Sequence, residues 1–279
     1  MPLKLMYITN RPEIARIAEA AGVDRVFVDL EYIGKADRQG GMDTVQNHHT
    51  VQDVQNIRQT VTAARVLARV NPIHDATDEY CSSKEEIDAV IDAGADIVML
   101  PFFKTVDEVE RFIEIVGGRA ITLPLVETPE AVDVIDEILD LPGLDEIFIG
   151  LNDLSIGYGK KFMFELLTDG IVERLCLKCK QKAIPYGFGG IAALGRGMLP
   201  AEYIIREHYR MGSTCVILSR SFCDVSQIDQ IEKVKSDFIN GVREIRELEA
   251  ECEQHNSYFR ENEKTVAERV KSIVMGRNR

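Results

Sequence analysis

No apolar run in this sequence approaches the ~20 residues that a membrane-spanning helix needs. The opening stretch, MPLKLMYITNRPE, holds no long apolar core of the secretory kind. Neither a membrane protein nor a secreted one is expected, and a cytoplasmic protein is. Basic charge is in deficit: 33 lysines and arginines face 46 aspartates and glutamates, a net charge of −13. A surface of that sign does not suit nucleic acid or an acidic membrane. A small anion is not excluded, because it needs only a local cation. Cysteine is dispersed, at Cys81, Cys176, Cys179, Cys215, Cys223 and Cys252, so no disulfide framework is expected. The C-x-x-C of Cys176 and Cys179 lies in a helical pattern with no second pair nearby, which leaves little room for zinc or redox chemistry. Nucleotide and hydrolase signatures are also missing: no G-x-G-x-x-G follows the first strand, and there is no P-loop and no G-x-S-x-G.

What is present is an eightfold alternation. Short apolar runs at 4–9, 25–31, 65–71, 96–101, 121–126, 147–151, 185–191 and 214–222 read as buried strands, with amphipathic helical patterns between them. The repeat of about 25–30 residues is that of a βαβ unit. Apolar strands between such helices mean a parallel sheet covered by helices, and eight of them favour a closed (β/α)8 TIM barrel. The expected barrel domain covers residues 1–225. Residues 226–279 form a C-terminal helical extension, with Ile228, Ile231, Val234, Phe238, Val242, Ile245 and Leu248 on one helical face. This extension either packs on a second subunit, making a homo-oligomer, or folds back over its own barrel.

In a barrel of this kind the chemistry lies at the C-terminal ends of the strands. Those ends supply Asp29 and Glu31, Arg69 and Asn71, Glu127, Asn152 and Asp153, Gly187–Gly190, and Ser219 with Arg220. Glu127 and Asp153 stand 26 residues apart, on two strands that run the same way, so they arrive at one sheet edge. Their bland reading is as a helix cap and a turn opener. As a pair they suit a hard divalent ion, Mg²⁺ or Mn²⁺, with positions left for water and an α-keto acid. The metal would stabilise an enolate, and Arg69 a developing oxyanion. No lysine stands clearly at a strand end, since Phe102 and Phe103 separate Lys104 from strand four. That disfavours a Schiff-base aldolase.

Five segments carry a family resemblance: Asp-Leu-Glu at 29–31, Ala-Arg-Val-Asn at 68–71, Val-Met-Leu-Pro at 98–101, Leu-Val-Glu-Thr at 125–128 and Ile-Phe-Ile-Gly-Leu-Asn-Asp-Leu-Ser at 147–155. Together they resemble the HpcH/HpaI-type class II aldolase and citrate lyase β-subunit superfamily. The resemblance implies a barrel that makes or breaks a carbon–carbon bond through a pyruvate-type or acetyl-CoA-type enolate. It implies Glu127 and Asp153 as metal ligands and Arg69 as the catalytic arginine. Gly150, Leu151 and Asn152 fall where backbone amides meet the substrate carboxylate, and Glu31 joins the substrate-binding set.

Three departures stand out. Leu125 replaces the glutamine of pyruvate aldolases, and Tyr32 replaces a histidine that serves there as acid/base. Arg220 stands where smaller or apolar residues are usual, to read a second negative group or to bridge to a neighbouring acid. The polar loop 33–47 leads to His48 and His49, and one of these, His49 preferred, is expected to shuttle the proton. Of the charged residues Lys35, Asp37, Arg38 and Asp43 in that loop, Lys35 and Arg38 could hold a carboxylate or phosphate, but solvated charges are the favoured reading. The leading function is metal-dependent cleavage or formation of a 4-hydroxy-2-keto acid, a sugar-derived one fitting well. The alternatives are a citramalyl- or malyl-CoA-type lyase and a non-catalytic metabolite-binding barrel.

Overall fold

The computed structural model of the chain describes residues 1–35, 49–223, 225, 231–254 and 257–276. Its strands are β1 (Lys4–Ile8), β2 (Arg25–Asp29), β3 (Arg65–Arg69), β4 (Ile97–Leu100), β5 (Ile121–Val126), β6 (Ile147–Ile149), β7 (Tyr186–Ile191) and β8 (Cys215–Leu218). They close into one barrel in sequence order, and β8 pairs parallel with β1. Helices alternate with the strands, so the architecture is the expected (β/α)8 barrel with helices at its C-terminus. Among the described residues no helix is long and apolar enough to cross a membrane.

The alternation of side chains along a strand sorts the core into two layers. Met6, Phe27, Leu67, Ile97, Met99, Leu123, Leu125, Phe148 and Cys215 pack together inside the barrel. Their sequence neighbours, such as Val26, Val28, Val66, Ala68, Val98 and Leu100, pack against the surrounding helices. Extending the inner row two residues at a time gives the polar rim. Phe27 leads to Asp29, Leu67 to Arg69, and Leu125 to Glu127. At the opposite end the same row begins with Arg25, which is buried and forms a two-pronged ion pair with Glu146 at 2.7 and 2.8 Å. That pair closes the barrel floor, while the rim charges lie where substrates reach a barrel of this type.

The connecting helices begin as their sequences specify. Thr50 with Asp53, Ser82 with Glu85, and Thr105 with Glu108 form reciprocal capping boxes. Thr128 caps the short helix Pro129–Asp133, which fixes the chain directly after Glu127. Cys176 and Cys179 are buried free thiols within the helix Ile171–Gln181. Burial pushes the Cys179 thiol up to about 12, which suits a core residue and not a reactive one.

The C-terminal segment folds back over its own barrel. The helix Ile231–Gln254 lies against the helices Pro12–Ala20 and Ala201–Met211. Phe238 meets Tyr7 of β1 edge-on at 4.8 Å and Phe222 at 5.6 Å. Gly241 gives the Phe222 ring its space, since a Cβ there would stand 2.7 Å from the ring. Glu249 accepts the Leu3 amide, and Arg246 donates to the Leu3 carbonyl. This helix therefore fills the place of an eighth barrel helix, and a division at residue 225 falls ahead of a helix that shares the barrel core. The helix Phe259–Gly276 packs outside it, on Ala201–Met211 and Glu165–Thr168. On these helices Val234, Phe238, Val242, Ile245, Leu248, Val266 and Val270 are buried within the chain, while Ile239 and Met275 are exposed.

Candidate active site

Four charged side chains converge at the ends of β2 and β3. Arg69 donates to Asp29 through Nε and Nη2, both at 2.8 Å, and its Nη1 lies 3.4 Å from Glu31 Oε2. The guanidinium also stands 5.5 Å from the centre of the Phe27 ring below it. Burial alone would work against the Arg69 charge. Asp29 and Glu31 outweigh that, and its pKa is raised. The fourth member is Lys35, whose Nζ lies 3.1 Å from Asp29 Oδ2 and 3.2 Å from Glu31 Oε2. Composition places Lys35 in solvent, yet it is 5% exposed. The cause is a turn: the Lys35 amide bonds back to the Tyr32 carbonyl, with Gly34 at φ 69°. Asn71 shapes that turn by accepting the amides of Tyr32 and Ile33, both at 2.9 Å, while its own Nδ2 donates to Glu86. The sequence signal for Lys35 is the glycine just past a strand-end acid, which folds the chain back over the strand instead of outward.

The second half of the rim belongs to β5 and β6. Glu127 is buried, and Asp153 sits half-buried in the first turn of the helix Leu151–Gly157. Burial first, then the nearby Glu31 and Asp153 charges, push the Glu127 carboxyl well above its ordinary range. Arg69 and the Phe102 amide, which donates to Glu127 Oε1 at 3.0 Å, partly offset this. Phe102 makes that bond from a left-handed backbone at φ 49°, a strained conformation of the kind found where a function fixes it. Gly150 is the close approach that lets β6 pass Glu127: an added Cβ would stand 2.9 Å from both Glu127 Cβ and Oε2. A cavity of about 340 Å³ opens above these residues, lined by Phe102, Lys104, Glu127, Pro129, Asp153 and Ile156.

The structure brings Glu31, Arg69, Glu127 and Asp153 together as anticipated. Other residues differ. Gly150 donates its amide to the Val126 carbonyl, so it gives the site space and not a hydrogen bond. Leu151 and Asn152 begin a helix that has no side-chain cap, so their amides are of the kind a helix start leaves without an intrahelical partner. His49 Nδ1 accepts the Asp29 amide at 3.0 Å, which engages the lone pair of the neutral ring and leaves the proton on Nε2. Burial lowers its pKa. His48, Asp37, Arg38 and Asp43 lie outside the described residues. Arg220 is exposed on the turn after β8. Tyr32 points out of the acid cluster, 46% exposed and against Tyr80. Leu125 belongs to the apolar barrel interior beneath Glu127.

A family model described as HpcH/HpaI aldolase/citrate lyase matches residues 4–184. The chain belongs to that family. A 2-keto-3-deoxy-L-rhamnonate aldolase of Escherichia coli O17:K52:H18 (strain UMN026) is 25% identical over 176 residues. The match covers 52% of this chain and 58% of the relative, so the chain spans little more than half of that protein. Among solved structures, an HpcH/HpaI aldolase from Desulfitobacterium hafniense DCB-2 superposes with a TM-score of 0.59 at 18% identity, covering 88% of this chain and 93% of its own. An HpcH/HpaI aldolase/citrate lyase family protein from Burkholderia cenocepacia J2315 gives 0.61 at 17% identity, with 88% and 95% covered. These structures share the fold. The family match ends at residue 184, before β7, β8 and the helices after them.

Proposed function

We propose that this chain is a carbon–carbon lyase of the class II aldolase type, acting on a 4-hydroxy-2-keto acid, a sugar-derived one by analogy with the rhamnonate-type relative. The observation that carries this reading is the pairing of Glu127 and Asp153 beside the fixed cation Arg69 at one rim of the barrel. Glu127 fits a cation site by its chemistry: a buried carboxyl near two further acids is stabilised either by a proton or by a metal. Among the described residues no group of three or more histidines, cysteines or acids forms a closed cage. A divalent ion would therefore be held by Glu127 and Asp153, with water and substrate oxygens completing its shell, as Mg²⁺ commonly is. A bound Mg²⁺ or Mn²⁺ supplies Lewis-acid stabilisation of a developing enolate.

The chain's own groups do the rest. Arg69 offers positive charge to the substrate carboxylate or the enolate oxygen. The amides of Leu151 and Asn152 orient the carboxylate. In cleavage a base removes the 4-hydroxyl proton and the C3–C4 bond breaks. Its electron pair stays on the pyruvate fragment as the enolate while the aldehyde leaves, and a proton returned to C3 gives pyruvate. With the His49 lone pair committed to Asp29, His48 is the histidine assigned to the proton transfer. Phe102, Pro129 and Ile156 give the aldehyde fragment an apolar wall, and Arg220 contacts a second anionic group on longer substrates.

Pyruvate release from a panel of 2-keto-3-deoxy sugar acids tests this, with and without chelation and with Mg²⁺ or Mn²⁺ restored. Metal-restored pyruvate release is expected. Leu125, an apolar floor beneath Glu127, favours the acyl-CoA lyase as second reading, so citramalyl-CoA and malyl-CoA belong in the panel. Turnover of those thioesters alone would replace the first reading with the second. No metal-dependent turnover of any member would leave the non-catalytic barrel.

A further inference from the structure

Among the described residues, Asp29 and Glu31 each face two cations, and the two cations share the same oxygens. Arg69 and Lys35 both contact Asp29 Oδ2 and both lie within 3.4 Å of Glu31 Oε2. The acid side chains are 1% exposed, Lys35 6% and Arg69 15%. The formal charges of these four side chains sum to zero, the cluster is almost dry, and it adjoins the carboxyl pair Glu127 and Asp153. An anion entering the rim needs the guanidinium. Arg69 turns toward it only by loosening its hold on one of two buried carboxylates, and weakening the compensation of a buried charge is unfavourable. Lys35 already touches both acids, so they stay compensated when Arg69 moves. The Gly34 turn and the two amide bonds to Asn71 deliver the ammonium to this spot, so its placement is fixed by the fold.

We propose that Lys35 is a positioning residue that carries the countercharge of Asp29 and Glu31 and thereby frees Arg69 for an anionic carboxylate or enolate. This rests on the reading that an α-keto acid binds at the rim. Lys35 touches no reacting atom in this role. It sets the charge that the substrate meets, so its removal acts in opposite directions on anion and cation. Without Lys35 the rim gains one net negative charge and holds Arg69 more tightly.

Calorimetry with two probes on the full chain tests it: Mn²⁺ alone, and oxalate in the presence of saturating Mn²⁺. Oxalate is a dianion that copies a pyruvate enolate. Lys35→Met is expected to lose about tenfold or more in oxalate affinity, while Mn²⁺ alone binds as well as to the unaltered chain or better. Lys35→Arg keeps the cation and is expected to stay within about threefold for oxalate. Should Lys35→Met not fold, Lys35→Gln makes the same comparison against Lys35→Arg. Unchanged oxalate binding in the uncharged variant overturns the role, as does an equal loss of oxalate and Mn²⁺ affinity, the mark of a merely structural lysine. An unaltered chain that binds neither probe overturns the α-keto acid reading, and the Lys35 role with it.

Discussion

The buried Glu127 carboxyl is under electrostatic strain, and the strain has a measurable sign. Its carboxyl titrates above the ordinary 4.5 in the folded chain, because burial, Glu31 and Asp153 disfavour its charge. A raised folded value contributes stability below the unfolded value and loses it as pH rises through the folded one. Metal-free protein should therefore gain from Glu127→Gln increasingly as pH climbs from about 5 to about 8. Melting curves of the two chains that stay parallel over that range would contradict the assignment. The same substitution should abolish Mg²⁺-dependent thermal stabilisation. His49 makes a contrasting case: its Nδ1 is occupied by the Asp29 amide, so His49→Ala should retain turnover within about threefold, whereas removal of a proton-transfer histidine costs about a hundredfold or more. Steady-state rates of His48→Ala and His49→Ala, measured side by side, separate the two. Acids at strand ends are visible in a sequence because they interrupt apolar runs. The protonation chemistry of a histidine is not, since it depends on which backbone amide meets which ring nitrogen.

At the level of elements, the site is made by the residues just past the end of each strand. Two-residue periodicity puts Asp29, Arg69 and Glu127 on the inner face, and the apolar runs of the sequence are enough to show it. The turn after β2 is not readable in the same way. Its direction depends on Gly34 and on Asn71, a residue just beyond β3 that holds the Tyr32 and Ile33 amides from across the strand pair. Local composition makes Lys35 look solvated, and a non-local hydrogen bond buries it. The β6 end depends on close approach in a comparable way. Gly150→Ala would push a methyl group against Glu127, so a loss of about 1–3 kcal/mol in chemical denaturation is expected, together with weakened Mn²⁺ binding. Unchanged Mn²⁺ affinity in that variant would show that Gly150 does not shape the acid pair.

For the whole molecule, eight strands are countable from the sequence, but the last barrel helix looks like an extension because its long apolar face exceeds one turn of the pattern. The Ile231–Gln254 helix uses that face on Tyr7, Phe222 and the helices beside it. Phe238→Ala should accordingly cost about 3–5 kcal/mol, the loss typical of a large buried ring, and denaturant titration reads it directly. A chain ending at Gln254 should keep its barrel, while one ending at Val225 should not fold. Stabilisation of a pyruvate enolate at this rim is testable without knowing the aldehyde partner. Proton NMR of pyruvate in D₂O follows exchange of its methyl protons. The expected exchange requires Mg²⁺ or Mn²⁺, stops on chelation, and is lost in Glu127→Gln and Arg69→Met. Exchange that persists in chelator or in those variants, or no exchange with any divalent metal, would rule out enolate stabilisation by this rim.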